Sequence, residues 1–435
     1  MHINRISPET YARFVSEQEH VMYTQLPEHL QTRSETGFEV EYLGLVDGDQ
    51  ASGDEHLVAS AGLLIHPWKR VFSRAVLTFG PVVASDLSDG DQREALVTFF
   101  RLLPQILAKH PRRILACHVA PAVVKRNFDD VTPLEQTQAS RELSELFDEI
   151  GARAVTTDFT ESDDIQVRYF YSKDIEGQSF PQLVKGMSQQ VRTAFNRWGK
   201  NGVSVRFAAP EEIDILRGVL ASTIERTDMQ ESITADYAIE FDRKLAQNLG
   251  PDKAFFPVAE LHTGEYLENL AAESAELTEQ ITAIDEQERE LTEQGKNLGK
   301  KQRTRRGELK DRLNVLAKRT RETERLREEH GEVVVLAASM FIAVPNELVY
   351  LISGAYAEFN SYYGIYLIHR AMMEWAVDHG LHRYNFWGIS GDFSEDATDA
   401  GVLHFKRQFG GDARELMGTY NIPVRGRLAS LLGAL

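Results

Sequence analysis

The chain has 435 residues, 42% of them hydrophobic, and a formal net charge of -18. That length suits two or three domains, each large enough for a core, and the excess of acid excludes a generic nucleic-acid coat or broad adhesion to anionic lipid without excluding a local basic patch. No run approaches the ~20 apolar residues of a membrane span, and Met1–Gln25 lacks the basic end and apolar stretch of a secretion signal, so a cytoplasmic location is expected.

In chain order, strand-like runs at Val40–Val46, Leu57–Leu64 and Ala75–Phe79 precede a helix over about Asp91–His110 and a strand at Arg113–Val119. Cys117, the one cysteine, lies in the apolar run Ile114–Val119 and reads as buried and inert. A boundary is expected near Thr156–Asp164. Strand-like runs then recur at Val203–Phe207 and Ala254–Leu261.

From Leu267 a heptad seam runs through Leu270, Ser274, Leu277, Ile281, Ile284, Glu288 and Leu291. After Gly295–Lys301 a second seam follows: Leu309, Leu313, Leu316, Thr320, Thr323, Leu326. The two seams predict an antiparallel hairpin with arms of about 28 residues, on the order of 40 Å long. Acids load the first arm and bases the second, which favours pairing within the hairpin; the tip, with Lys296, Lys300, Lys301, Arg303, Arg305 and Arg306, also suits a nucleic-acid backbone.

Beyond the hairpin come strand-like Val333–Ile342 and Leu348–Ser353, a helix over 363–379, a strand at Arg383–Trp387, a glycine-acid loop and Phe405-Lys406. The order of elements repeats that of the first half. The reading is therefore α/β (α+β), with two domains of one topology: 1–158 and 159–411, the second carrying an inserted arm at 265–330. A last strand-like piece, Glu415–Ile422, is expected to return to the first domain, so that 412–435 completes it.

Strand, helix, strand, loop and lysine in this order look like the second half of an acyltransferase domain. A lysine just past such a loop can set one fixed positive charge where an oxyanion develops, which makes Lys406 the catalytic candidate. Asp392, Glu395, Asp396 and Asp399 precede it and are left without assignment as a general base. The thirteen histidines show no metal-ligand spacing, His404 reads as structural, and Gly388 and Gly391 form no phosphate loop, so no metal, ATP or dinucleotide is implied.

Several segments carry a resemblance. They are YTQLPEHLQTR with Gly37-Phe38, Phe79-Gly80-Pro81-Val82, QVRTAFNRWGKNGVSVR, IERTDM with Tyr237, YLISGAY, and HFKRQFGG. In order and spacing they resemble the Fem aminoacyltransferases, which build the interpeptide bridges of bacterial peptidoglycan. His29 and Arg33 stand where that family has Trp and Lys. The resemblance implies two tandem acetyltransferase-like (GNAT-like) domains with a coiled-coil insertion. It also implies transfer of an amino acid from aminoacyl-tRNA, as co-substrate, to a UDP-linked or lipid-linked muropeptide precursor, with peripheral membrane contact through a lipid-linked form.

On that reading Arg33, Arg226, Tyr237, Tyr356 and Phe405 bind the precursor, Arg supplying forked donors to a diphosphate. Arg192, Arg197 and Lys200, with Lys300, Lys301, Arg303, Arg305 and Arg306 at the hairpin tip, are the candidates for tRNA. An acyl-CoA-dependent N-acyltransferase remains an alternative, although no pyrophosphate cradle is evident, and so does a coiled-coil adaptor without catalysis.

Overall fold

The computed structural model describes residues 1–48, 56–69, 71–155, 166–200, 202–226 and 235–433; the side chains of Glu225, Arg226, Arg427 and Leu432 lie outside that description. The expected boundary at Thr156–Asp164 also falls outside it.

Two sheets organise the chain. The first has strand order His2–Arg5, Glu39–Asp47, His56–Trp68, Phe72–Thr78, Ile114–Ala120, Tyr420–Pro423 and Arg153–Ala154, with Val82–Val83 on the side of His56–Trp68. The second runs Val203–Ala208, Ala254–His262, Val333–Val344, Glu347–Ala355, Arg383–Ile389, Tyr169–Asp174, Asp412–Leu416, Val124–Asp129 and Thr132–Gln136. Each sheet holds one parallel pair, and each such pair is joined through a helix. In the first sheet it is Phe72–Thr78 with Ile114–Ala120 through Asp89–Leu107; in the second it is Glu347–Ala355 with Arg383–Ile389 through Gly364–Asp378.

The chain crosses between sheets more often than the repeat of elements suggests. The hairpin of Val124–Asp129 and Thr132–Gln136 closes the far edge of the second sheet. The expected single strand Glu415–Ile422 is two strands: Asp412–Leu416 pairs in the second sheet, and Tyr420–Pro423 pairs in the first. Gly418, at φ +84, makes the bend between them. Glu415, 3% exposed, fastens this crossing by accepting from Lys125 (3.0 Å) and Arg168 (2.6 Å), with the Arg126 guanidinium 3.0 Å away as a further ion pair.

Apolar residues collect on both faces of the second sheet. One face packs Phe341, Phe386 and Phe409 with Leu367 and Met372 of helix Gly364–Asp378. The other packs Met340, Val349 and Trp387 against Leu220 and Leu245, and the same cluster takes in Tyr11, Leu30 and Phe79 from the first half. The two halves thus share one core.

Gln25 fixes the first-half side of it. Its amide nitrogen donates to Gly62 O (3.2 Å) and Thr78 O (2.8 Å), while its oxygen accepts from Gly62 N and Tyr11 Oη, both at 3.0 Å. At 1% exposure no water replaces these bonds. Gln25→Leu is expected to lower unfolding free energy by about 2–4 kcal/mol, read from the urea midpoint, because it strands several buried partners at once.

The hairpin helices are Thr263–Glu293 and Lys300–His330, 31 residues each and so somewhat longer than the seams suggest. Leu270, Ile281, Ile284, Leu316 and Thr323 are buried between them. The insertion leaves and rejoins the sheet at paired neighbours, His262 facing Val333. At its base Tyr266 packs edge-on against Tyr362, and His330 against Phe359, so the hairpin stands on the turn that leads into helix Gly364–Asp378.

Candidate active site

The parallel pair in the second sheet is a fork. Glu347, Leu348 and Val349 face Arg383, Tyr384 and Asn385, and the ladder ends there although both strands continue. Asn385, fully buried, clamps the crotch: its amide nitrogen donates to Glu347 Oε1 (2.8 Å) and its oxygen accepts from Trp387 N (2.8 Å). Against Tyr169–Asp174 the strand carries an extra residue at Phe386–Trp387, and Trp387 takes φ +62. A bulge of this kind re-aims backbone carbonyls away from the ladder.

Lys406 occupies that re-aimed edge. It lies on helix Ala400–Arg407, is 5% exposed, and its Nζ donates to Trp387 O (3.3 Å) and Gly388 O (2.5 Å). The loop before the helix is tied by Asp399, which accepts from Ser390 N (2.7 Å) and Ser390 Oγ (2.5 Å). Asp392 is turned to the backbone N–H of Ser394 (3.0 Å), a bond that holds its carboxyl below the usual range, and Glu395 and Asp396 are exposed. Asp399 therefore shapes the loop, and the other three acids face solvent. A Cβ at Gly411 would stand 2.3 Å from Ser172 O, so the glycines that end HFKRQFGG allow backbone to lie on backbone.

Phe405 points the other way, into an aromatic group with Tyr366 (5.3 Å), His369 (5.4 Å) and Phe409 (5.3 Å). His369 is fully buried and its Nδ1 lies 2.7 Å from Tyr384 Oη. Burial, and then the Lys406 charge, drive its pKa down to about 3, so the ring is neutral.

On the opposite side of the strand an aromatic row leads from the fork to Arg33. Trp387 meets Tyr23 (5.3 Å) and Phe79 (5.9 Å); Tyr23 meets His29 (5.6 Å); His29 meets Phe241 (5.6 Å). The Arg33 guanidinium lies over Phe241 (4.5 Å) and Phe38 (5.5 Å). Beside it Asp242 is partly buried, and desolvation raises its carboxyl to about 7 against the pull of Arg33.

Tyr356 is half-buried, packed against Phe359 at the end of strand Glu347–Ala355. Tyr237 is 71% exposed at the start of helix Asp236–Leu249, and the side chain of Arg226 is outside the described residues.

The basic candidates divide. Arg192 is turned inward, donating to Lys185 O (3.2 Å), Met187 O (2.9 Å) and Gln189 Oε1 (2.9 Å); Arg197 lies over Tyr363 (4.9 Å), and Lys200 is exposed. At the hairpin tip Lys300, Lys301 and Arg303 are exposed, Arg305 donates to Gln280 Oε1 (3.1 Å), and Arg306 pairs with Asp285 (2.8 Å) and Glu288. The tip stands roughly 45 Å from the hairpin base along helices of this length.

Reading the residues in sequence missed Asn385, Trp387, His369, Tyr23 and Asp242. The one local signal was RYNFW, where a lone amide interrupts a run of aromatics in a strand.

The bulged, forked strand pair thus holds one ammonium on the carbonyls of Trp387 and Gly388. A family model described as the FemAB family matches residues 6–435, and the chain belongs to that family. The chain is 25% identical over 426 residues to the aminoacyltransferase FemA of Staphylococcus aureus (strain MW2), covering 98% of this chain and 96% of that protein. It is likewise 25% identical over 433 residues to FemA of Staphylococcus epidermidis (strain ATCC 12228), with the same coverage. The crystal structure of FemX shares the fold, with TM-score 0.75 at 19% identity over 99% of this chain and 100% of that one.

Proposed function

We propose that this protein transfers an aminoacyl group from aminoacyl-tRNA to an amino group on the stem peptide of a peptidoglycan precursor. The acceptor nitrogen attacks the ester carbonyl, forming an N–C bond. The carbonyl π pair moves onto oxygen, and its return expels the tRNA ribose oxygen, which leaves with a proton while the nitrogen loses one. The negative charge on the former carbonyl oxygen is where a fixed cation lowers the barrier, by a few kcal/mol on the scale of one oxyanion-hole donor.

Lys406 takes that role. The observation that carries it is the ammonium held on Trp387 O and Gly388 O at the fork. Anchoring on two carbonyls keeps the charge in place before substrate arrives, so little reorganisation accompanies the reaction. No metal or other cofactor takes part in the step as written.

Arg33 and Arg226 bind the precursor's diphosphate. For Arg33 the support is its place between two rings, which orients a planar donor for a bidentate contact. Tyr237 and Tyr356 contact the remainder of the precursor, while Phe405, turned into the aromatic group of Tyr366, His369 and Phe409, supports the wall behind Lys406. The tRNA runs between Arg197 and Lys200, near helix Gln189–Phe195, and the exposed bases of the hairpin tip, with Arg192 holding that helix in shape. In sequence the two units are 1–158 and 159–411, with the hairpin arm inserted in the second and the strands Val124–Asp129 and Thr132–Gln136 of the first crossing into the second sheet.

A transfer assay tests the reading. Label is expected to move from an aminoacyl-tRNA to a muropeptide acceptor, to stop on RNase treatment, and not to be supported by acetyl-CoA. Transfer from acetyl-CoA with none from aminoacyl-tRNA would overturn it.

A further inference from the structure

The end of the first sheet farthest from Phe79 is built unlike the rest of the surface. There Trp68 faces Phe72 across a tight turn, Ser73 pairs with the first residue of strand Ile114–Ala120, and the last helix, Gly426–Leu432, seats Ala429 on Trp68, Phe72 and Leu115. Three large apolar side chains remain outside this small core: Val71 is 59% exposed, Leu428 38% and Leu431 84%.

The charge around them reverses that of the chain. Among the described residues of 66–76, 109–120 and 417–433 are Lys69, Arg74, Lys109, Arg112, Arg113 and Arg425 and no Asp or Glu, against 66 acids and 48 bases in the whole sequence. Lys69 and Arg74 lie over Trp68 at 4.3 and 4.7 Å, and Arg74 reaches Gly433 O (3.4 Å). Lys109 and Arg113 are exposed at the start of Ile114–Ala120. The acids that reach this end are already paired, Glu39 with Arg112 (2.9 Å) and Glu41 with His110 (3.0 Å) and Arg5.

We infer that this end of the first sheet docks on an anionic lipid bilayer. Exposed aliphatic tips enter the headgroup region while surrounding cations meet lipid phosphates, and neither contribution suffices alone. A nucleic acid would use the cations but give Val71, Leu428 and Leu431 nothing to bury against. The strand Phe72–Thr78 leads from this surface to Phe79, which packs on Trp387, a distance on the order of 20 Å. A bilayer-bound protein thus holds its fork within reach of the headgroup layer.

The test is flotation of the full chain with vesicles of phosphatidylcholine, alone or with about one-third phosphatidylglycerol. Flotation is expected with the anionic vesicles only and is expected to fall as salt rises. Val71→Ser with Leu431→Ser, and separately Lys69→Glu with Arg113→Glu, should each lower the bound fraction about fivefold. No flotation with anionic vesicles, flotation unchanged in both variants, or loss in them of tRNA binding in place of vesicle binding would overturn the inference. Transfer to a water-soluble muropeptide is expected to be unchanged in both variants, so docking and the transfer reaction are read in separate assays.

Discussion

Lys406→Met is expected to lower turnover by about 10²–10³-fold, the loss that follows removal of one preorganised oxyanion donor. Precursor affinity should stay within about twofold, since the ammonium acts on charge that exists only in the transition state. Methionine keeps the length and apolar stem of the side chain at a position as buried as Leu403 on the same helix, so the helix Ala400–Arg407 has no reason to move. The carbonyls of Trp387 and Gly388 lose a donor, which makes a modest drop in melting temperature the expected accompaniment. Lys406→Arg keeps the charge but replaces a compact ammonium by a planar fork, and should recover at most about a tenth of the lost rate. Turnover unchanged in the methionine variant, measured with acceptor binding by calorimetry, would remove the lysine from the chemistry.

Acid is expected to loosen the fold through two buried imidazoles. His29 and His369 are 4% and 0% exposed, and burial, aided by the charges of Arg33 and Lys406 respectively, lowers both to about 3. The stability each contributes is complete above its unfolded pKa near ~6.5 and is lost as pH falls towards the folded value. From pH 6.5 to 4.5 that is about 2–3 kcal/mol for each ring, at roughly 1.4 kcal/mol per pH unit. Asp242 runs the other way: its folded carboxyl is raised to about 7, so its contribution is complete in acid and lost as pH rises through that value. It offsets one ring, leaving a net loss of about 2–3 kcal/mol. Urea unfolding at the two pH values should show that difference in wild type, almost none in His369→Gln, and a steeper one in Asp242→Asn. A wild-type slope that His369→Gln leaves unchanged would mean the ring is not held neutral.

Much of the fold could be read because its signals are local. Leu270, Ile281, Ile284 and Leu316 repeat at heptad spacing, and they are the residues the hairpin buries. The parallel strands with their helices likewise announced themselves as apolar runs around an amphipathic stretch. What stayed hidden depends on distant partners. Val124–Asp129, paired on both sides, buries only Phe128, and the edge strand Thr132–Gln136 buries nothing, so neither carries an alternating apolar face that could be read in sequence. Tyr169–Asp174 reads as a short mixed segment, yet it lies between two strands brought from more than two hundred residues away.

The site was legible in part for the same reason. Lys406 could be singled out as a candidate from the loop and block around it. The fork that holds it could not, since Trp387 takes a left-handed φ that its own side chain disfavours and that Asn385 and the mismatch with Tyr169–Asp174 impose. Charge was the least reliable guide: Arg192 and Arg306, basic in sequence, are engaged by carbonyls and by acids of their own neighbourhood. Gln25, within the segment YTQLPEHLQTR, is a buried cross-link of a helix and two strands, a role that only its distant partners reveal.

The central claim is that an amino acid passes from tRNA to a cell-wall peptide. It is tested most directly by incubating the protein with a mixture of charged tRNAs and a muropeptide precursor, then weighing the acceptor by mass spectrometry. The account predicts a gain equal to one or more aminoacyl residues that disappears when the tRNAs are deacylated beforehand. An acceptor of unchanged mass, or one that gains an acyl group only when acyl-CoA is supplied, would contradict it.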